Sequence, residues 1–600
     1  MNLKQYNPFG SFRKHQEEVI QEILEIKDTN VPNIILKAPV ASGKSLIAYT
    51  VAQYLKQERK EKSLIFTSTK FLQDQYLRDF PALKTVKGRN NFDCLNNGRT
   101  CDKGSCKEIC DFKCLFSVEF RDGLEDLLFK KSMGDVCPYW EQKVEAIWSP
   151  ISILNYKYGL IDKNYVHHFP SRDFVVFDEA HNLEKEIMDF FEVEISPRQL
   201  YNDIKYNINP YLRDIQKWSD IFFEISDAYE DAAKIQLEVG NKEKADTFNT
   251  KKDTYKKTAF MMKDIPENWV IDIKENNLLF KPILINQYAD NALLSFGKTR
   301  LLMSGSILKN NTFCDTLGIE DYHVIDVPSI IDSSHRPIYK EYVGSMSLKK
   351  RNDNIDAIVN KIIEISSRYP DDKGVVHTYT YVVANMIKER LMNNDRFIFH
   401  NSKDRQVQTQ KFIDSDEPKI FVSPYSFEGV DFKGDCARFQ IIAKNPFPNM
   451  FQNQQYQERD RISNYHWLFE ERCKILSQMY GRIVRSPTDY GDTYLIDSDI
   501  ENLLGPSSLV TGYMFEGFID SWMNKEIVIK DETRLSIDKR KSYENERFNE
   551  KVILGEIKKM KQPTVVKLIE LYKNLPNDAY KEVRPVCERL LKNEAIEVIK

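Results

Sequence analysis

The feature that most constrains this chain is the run I-I-L-K-A-P-V-A-S-G-K-S, residues 34–45, continuing into S-L-I-A-Y-T-V-A-Q-Y-L. A buried apolar strand leads into a loop of small residues, and the loop opens into an amphipathic helix. Strand, loop and helix thus follow in the order a phosphate-binding loop requires. Gly43 lets backbone amides approach phosphate oxygens, Lys44 carries a point charge to the terminal phosphates, and the Ser45 hydroxyl can ligate magnesium at the helix start. Ala41 and Ser42 belong to the same loop, and Ala38 stands where the general pattern has its first glycine. The bland alternative is a coincidental G-K-S in a surface loop.

A second segment argues against coincidence. D-F-V-V-F-D-E-A-H-N, residues 173–182, reads as a fully buried strand ending in two carboxylates, as expected where a parallel sheet presents its site at the strand C-terminal edge. Asp178 is placed to hold magnesium, directly or through water, and Glu179 to polarise an attacking water. With 600 residues and 70.5 kDa the chain exceeds what one core can support, so several domains are expected. No signal-peptide core or long apolar run is present, and a cytoplasmic protein without membrane contact is expected. A net charge of -4 gives no global pull toward nucleic acid, so a phosphate-binding surface has to be a local basic groove.

Cysteine usage is uneven. Of ten, six fall between Cys94 and Cys137, and the rest are scattered at Cys314, Cys436, Cys473 and Cys587. In a reducing cytosol this clustering points to a metal site rather than disulfides, with chance clustering as the alternative.

The order of further motifs, from about Phe12 to Asp497, resembles that of the XPD/DinG helicases of superfamily 2. F-R-K-H-Q is similar to their adenine-side motif through Arg13 and Gln16. L-I-F-T-S-T-K-F-L-Q-D-Q resembles motif Ia, which implies that Thr67 and Thr69 end a strand beside the DNA path. L-L-M-S-G-S-I-L resembles motif III through Ser304, Gly305 and Ser306. In the second half, G-V-V-H-T-Y-T-Y resembles motif IV and V-S-P-Y-S-F-E-G-V-D-F motif V, through Glu428, Gly429 and Asp431. Q-M-Y-G-R-I-V-R resembles motif VI, which implies that Gln478, Arg482 and Arg485 face the nucleotide. Spacing of three puts both arginines on one face of an expected helix, where a solvated basic face is the alternative.

The resemblance reaches the cysteines. K-G-R-N-N-F-D-C and C-P-Y-W flank them as in the family's cluster domain, which implies a four-iron four-sulfur cluster with Cys94 and Cys137 as ligands and Arg89 as a candidate phosphate contact. Cys106 and Cys114 lead for the inner pair, with Cys101 and Cys110 as alternates; zinc is the rival occupant.

The expected fold class is α/β, with two RecA-like parallel-sheet motor domains and two inserts, cysteine-rich and helical, in the first. Motor domain 1 is expected over residues 1–88, 145–190 and 276–315, interrupted by the iron-sulfur domain 89–144 and a helical arch 191–275. Motor domain 2 follows over 316–510, then a helical extension 511–600. The resemblance implies a monomeric ATP-dependent DNA helicase using magnesium, moving 5′ to 3′ on single-stranded DNA and unwinding forked duplex. The competing readings are a nuclease, for which no acidic metal motif is evident, and a nucleic-acid-binding subunit with a vestigial motor, against which Lys44, Asp178, Glu179, Gln478 and Arg485 stand intact.

Overall fold

Strand and helix signals that alternate along the chain build two parallel sheets, each inside its own unit of a computed structural model. It describes residues 2–39, 41–108, 114–118, 123–424, 432, 434–451, 453–463, 466–503, 526–529, 566–567, 586 and 596–599. One unit comprises Met1–Pro328 with Phe447–Glu471, the other Ser329–Pro446 with Arg472–Lys600.

The strands of the first unit are β1 Asn33–Lys37, β2 Ser63–Thr67, β3 Lys84–Thr85, β4 Ile151–Asn155, β5 Arg172–Asp178, β6 Val193–Ile195, β7 Trp269–Lys274, β8 Asn277–Pro282, β9 Gly297–Ser304 and β10 Tyr322–Asp326. Seven of them form a parallel sheet in the order β10-β1-β9-β5-β2-β4-β3. Successive residues of each central strand enter opposite cores. Ile34, Leu36, Ile65, Phe174, Val176 and Leu301 pack on the helices Gln16–Asp28 and Lys44–Glu58, whereas Ile35, Leu64, Phe66, Val175, Phe177 and Leu302 face the helices Tyr156–Ile161 and Leu183–Phe191. Burial on both faces explains why these strands read as unbroken apolar runs. Because β10 pairs with β1 from Asn33↔Tyr322 to Lys37↔Asp326, the sheet extends past residue 315.

Residues 191–282 are less uniformly helical than their composition suggests. The helices Ile215–Glu238 and Lys242–Asp264 pack on each other through Phe222, Tyr229, Phe248 and Tyr255, but at their base β6, β8 and β7 form an antiparallel sheet. The strand V-I-D-I-K is buried on both faces over its first half, so no period-two alternation announces it. β7 and β8 are joined through Glu275 and Asn276 at φ 52° and 68°, the two left-handed residues of a tight hairpin turn. Phe280 of β8 meets the Trp218 ring with centroids 4.8 Å apart, tying this sheet to the helical pair. The helix Gln454–Ile462 also belongs to this unit: Arg459 pairs with Glu184 and donates to the Ile283 carbonyl at 3.0 Å.

In the second unit β11 Ile338–Gly344, β12 Gly374–His377, β13 Phe397–Phe399, β14 Ile420–Ser423, β15 Phe439–Ile442 and β16 Asp492–Asp497 form a parallel sheet in the order β11-β16-β15-β12-β14-β13. Of the expected C-terminal helices, most lie outside the described residues. Three short described pieces there are strands, with Glu526–Ile529 antiparallel to both Val566–Lys567 and Ile596–Ile599, and Val586 is helical. Among the described residues no helix is long and apolar enough to cross a membrane.

Candidate nucleotide site and cysteine-rich insert

β1 delivers the phosphate-binding loop at its C-terminal end. Ala41 and Gly43 take left-handed backbone at φ 69° and 74°, and Gly43 starts the helix Lys44–Glu58. A Cβ on Gly43 would lie 2.2 Å from Gln16 Nε2, so both the backbone angle and the space demand glycine. Arg13 and Gln16 grip the loop from outside: Arg13 Nη1 donates to the Ala41 carbonyl and Gln16 Nε2 to the Ser42 carbonyl, each at 2.8 Å. Lys44 Nζ lies 3.3 Å from the Ala38 carbonyl and 3.9 Å from Glu179 Oε1, within reach of both walls of the site.

β5 ends beside this loop in the acidic pair. Asp178 is buried, and Glu179 sits at φ 54°, a left-handed position that turns the chain sharply into the short helix Ala180–Asn182. Two tyrosines clamp Asp178: Tyr76 Oη donates to its Oδ2 at 2.8 Å, and Tyr156 Oη donates to its main-chain carbonyl at 2.6 Å. The Glu179 amide donates to Oδ1 at 2.9 Å. Burial, and then the neighbouring Glu179 charge, raise Asp178 above the ordinary carboxylate range, while Lys44 and the Tyr76 hydroxyl pull it back. A buried carboxylate under that strain is suited to a divalent cation, which would favour its charged form.

Motif III lies next to the same loop. Ser304 ends β9, its carbonyl accepts from the Ala38 amide at 3.1 Å, and its Oγ is 2.7 Å from His181 Nδ1, which is also 3.3 Å from Glu179 Oε2. Ser306 donates its amide to Ser304 Oγ at 3.0 Å, and Gly305 crosses Ala38 so closely that a Cβ would stand 3.0 Å from its carbonyl. His181, the last residue of the D-E-A-H run, therefore links Glu179 to Ser304, a contact that the sequence does not signal. Tyr76 and Tyr156 were missed altogether, because an aromatic residue at helical spacing carries no signal beyond packing.

Other expected residues take different surroundings. Thr67 is fully buried at the end of β2, and Thr69 caps the helix Lys70–Asp79 by accepting from the Leu72 amide at 3.2 Å. The helix Trp467–Tyr480 carries Gln478 but ends before Arg482 and Arg485, so these arginines do not share a helix face; Gly481 and the β-branched pair Ile483–Val484 end the regular structure. The Arg485 amide donates to Asp489 Oδ2 at 3.0 Å. Glu428, Gly429 and Asp431 lie outside the described residues, as does Cys110.

In the cysteine-rich insert Arg89 does not point to solvent. Its guanidinium lies 3.8 Å from Cys101 Sγ, 3.5 Å from Cys106 Sγ and 4.6 Å from the centre of the Tyr139 ring. Cys137 precedes the helix Pro138–Trp148; a hydrogen bond from Cys101, then the amides of Trp140 and Tyr139 and the Arg89 charge, favour its thiolate. Cys114 is raised first by burial and then by the charges of Cys106 and Cys137. Cys94 packs against Gly104, where a Cβ would lie 3.2 Å from its sulfur. Among the described residues, no three Cys, His, Asp or Glu side chains converge tightly enough to hold a single metal ion. A cationic guanidinium turned on two thiols nevertheless fits an anionic guest held by thiolates.

Residues 10–213 match the family described as type III restriction enzyme, res subunit, and residues 366–507 match the helicase C-terminal domain. A probable ATP-dependent helicase of Methanocaldococcus jannaschii is 21% identical over 86% of this chain and 96% of its own length. An ATP-dependent DNA helicase, CHL1 of Vanderwaltozyma polyspora, is 23% identical over 70% of this chain and 61% of its own. Among solved structures, an XPD helicase superposes with a TM-score of 0.56 at 17% identity, covering 82% of this chain and 97% of that one. The two parallel-sheet units thus have the fold of two RecA-like domains.

Proposed function

This chain belongs to the XPD/DinG-like ATP-dependent helicases of superfamily 2, and from that premise we propose that it moves 5′ to 3′ along single-stranded DNA and unwinds the duplex ahead of it. The observation that carries the reading is the convergence of Lys44, Asp178, Glu179, His181 and Ser304 at the C-terminal ends of β1, β5 and β9.

In this reading the loop amides around Gly43 and the Lys44 ammonium bind the triphosphate. Ser45 and Asp178 would hold magnesium, which supplies charge neutralisation at the phosphates. Glu179 orients the attacking water and accepts its proton, and its contact with His181 passes the state of the site to Ser304 and β9. By the motif VI resemblance, Gln478, Arg482 and Arg485 act on the phosphate chain, with Arg485 as an arginine finger. Glu428, Gly429 and Asp431 join them on the strength of the motif V resemblance alone. The insert would hold an iron-sulfur cluster through the thiolates of Cys94 and Cys137 with Cys106 and Cys114, Cys101 and Cys110 being the alternates for the inner pair, and the cluster would fix a wedge at the fork.

Hydrolysis measured with and without single-stranded DNA tests the reading. Strong stimulation by the strand is expected, and a protein that binds the strand but hydrolyses no ATP would be a binding subunit instead.

A further inference from the structure

The helix Lys70–Asp79 follows β2 and starts at Thr69, yet one of its two buried side chains, Tyr76, reaches into the nucleotide site. Tyr76 is 1% exposed, packs against the Phe80 ring with centroids 5.9 Å apart, and donates its hydroxyl to Asp178 Oδ2 at 2.8 Å. One phenol oxygen therefore holds, from a separate element, the side chain of β5 that the nucleotide-site reading assigns to magnesium. The other carboxylate oxygen is already fixed by the Glu179 amide at 2.9 Å, and the Asp178 carbonyl by Tyr156 Oη. Rotation of the carboxylate would break a charge-assisted hydrogen bond on one side or the other. Nothing in phosphate-loop chemistry requires a tyrosine here; a leucine would fill the same space in the core formed by Tyr49, Phe80 and Ile153.

We propose that Tyr76 is a positioning residue for the metal: its hydroxyl, donated to Asp178 Oδ2, sets the carboxylate in the orientation that receives the divalent cation. This rests on the nucleotide-site reading above. It predicts a loss confined to the metal. Without the hydroxyl, Asp178 keeps one of its two side-chain anchors, the Glu179 amide. The phosphate loop itself, gripped by Arg13 and Gln16, is untouched.

The test is Tyr76→Phe in the full chain, with Mn2+ as the probe, titrated by electron paramagnetic resonance against protein saturated with a non-hydrolysable ATP analogue. Mn2+ affinity should fall roughly ten- to a hundred-fold, the equivalent of one hydrogen bond to a charged group. Metal-free binding of the analogue should stay unchanged. In steady state the Mg2+ concentration giving half-maximal hydrolysis should rise while the rate at saturating Mg2+ recovers, a split that a merely structural role would not produce. On an Asp178→Asn background, Tyr76→Phe should change Mn2+ affinity no further, because the hydroxyl acts through that carboxylate. A folded Tyr76→Phe protein with wild-type Mn2+ affinity, or additive losses in the double variant, would overturn the proposal. Failure of the wild-type chain to bind Mn2+ with the analogue would instead overturn the nucleotide-site reading itself.

Discussion

At the nucleotide site the reactive side chains are held by groups that do not take part in the chemistry, whereas in the cysteine-rich insert the thiols are held largely by one another. Gln16 and Arg13 fix the loop carbonyls, Tyr76 and Tyr156 fix Asp178, and Ser304 fixes His181. In the insert, the Cys101 thiol favours the Cys137 thiolate, Arg89 lies against Cys101 and Cys106, and Cys94 faces Gly104. The difference teaches where the organising energy resides. A phosphate site is preorganised by the backbone and needs only its ligand, while a thiolate site is completed by its guest, whose binding supplies part of the folding free energy.

The sharpest way to break that comparison is to disable the preorganised site and ask whether the fold notices. Lys44→Ala should abolish hydrolysis, by more than ~10³-fold, because Lys44 serves phosphates rather than the core. Circular dichroism and thermal melting should match the wild type. Glu179→Gln should be as inactive but keep nucleotide affinity, measured by fluorescence of a labelled analogue; equal loss of affinity would contradict the division of roles. Next, Arg485→Ala should slow hydrolysis by ~10³-fold, with no rescue by lysine, which lacks the planar fork. Full rescue would reduce Arg485 to a general positive charge.

In the insert the effect should fall on metal content and stability together. Purified without oxygen, the protein should be brown, with broad absorbance near ~400 nm and about four irons per chain, whereas zinc would leave it colourless. Cys137→Ser should lose the iron and lower the melting temperature, while ATP binding at the intact loop persists. Cys94→Ser should lose iron as well, and among Cys101, Cys106, Cys110 and Cys114 the two whose serine variants lose iron are the inner ligands. The smallest effect belongs to Thr69→Ala, which removes a helix cap at a cost of about 1 kcal/mol in denaturant unfolding.

The same contrast explains what could be read in advance. Gly43, Lys44, Asp178 and Glu179 were legible because chemistry and backbone impose the same residues at the same strand ends. β10 and the helix Gln454–Ile462 were not, since both join the first unit from beyond the segment whose pattern announces it. The position of Arg89 against Cys101 and Cys106, with the Tyr139 ring beside it, was not legible, since these partners are remote from it in sequence. Arg482 and Arg485 were read as helical from spacing alone, and Gly481 was the contrary signal.

The account rests most heavily on directional, ATP-driven unwinding by this site, and one strand-displacement assay tests it. Duplexes matched except for a 5′ or a 3′ single-stranded tail are incubated with the wild-type chain and with Glu179→Gln. The prediction is ATP-dependent displacement of the 5′-tailed substrate by the wild type alone; displacement of the 3′-tailed substrate in preference, or by Glu179→Gln, would contradict it.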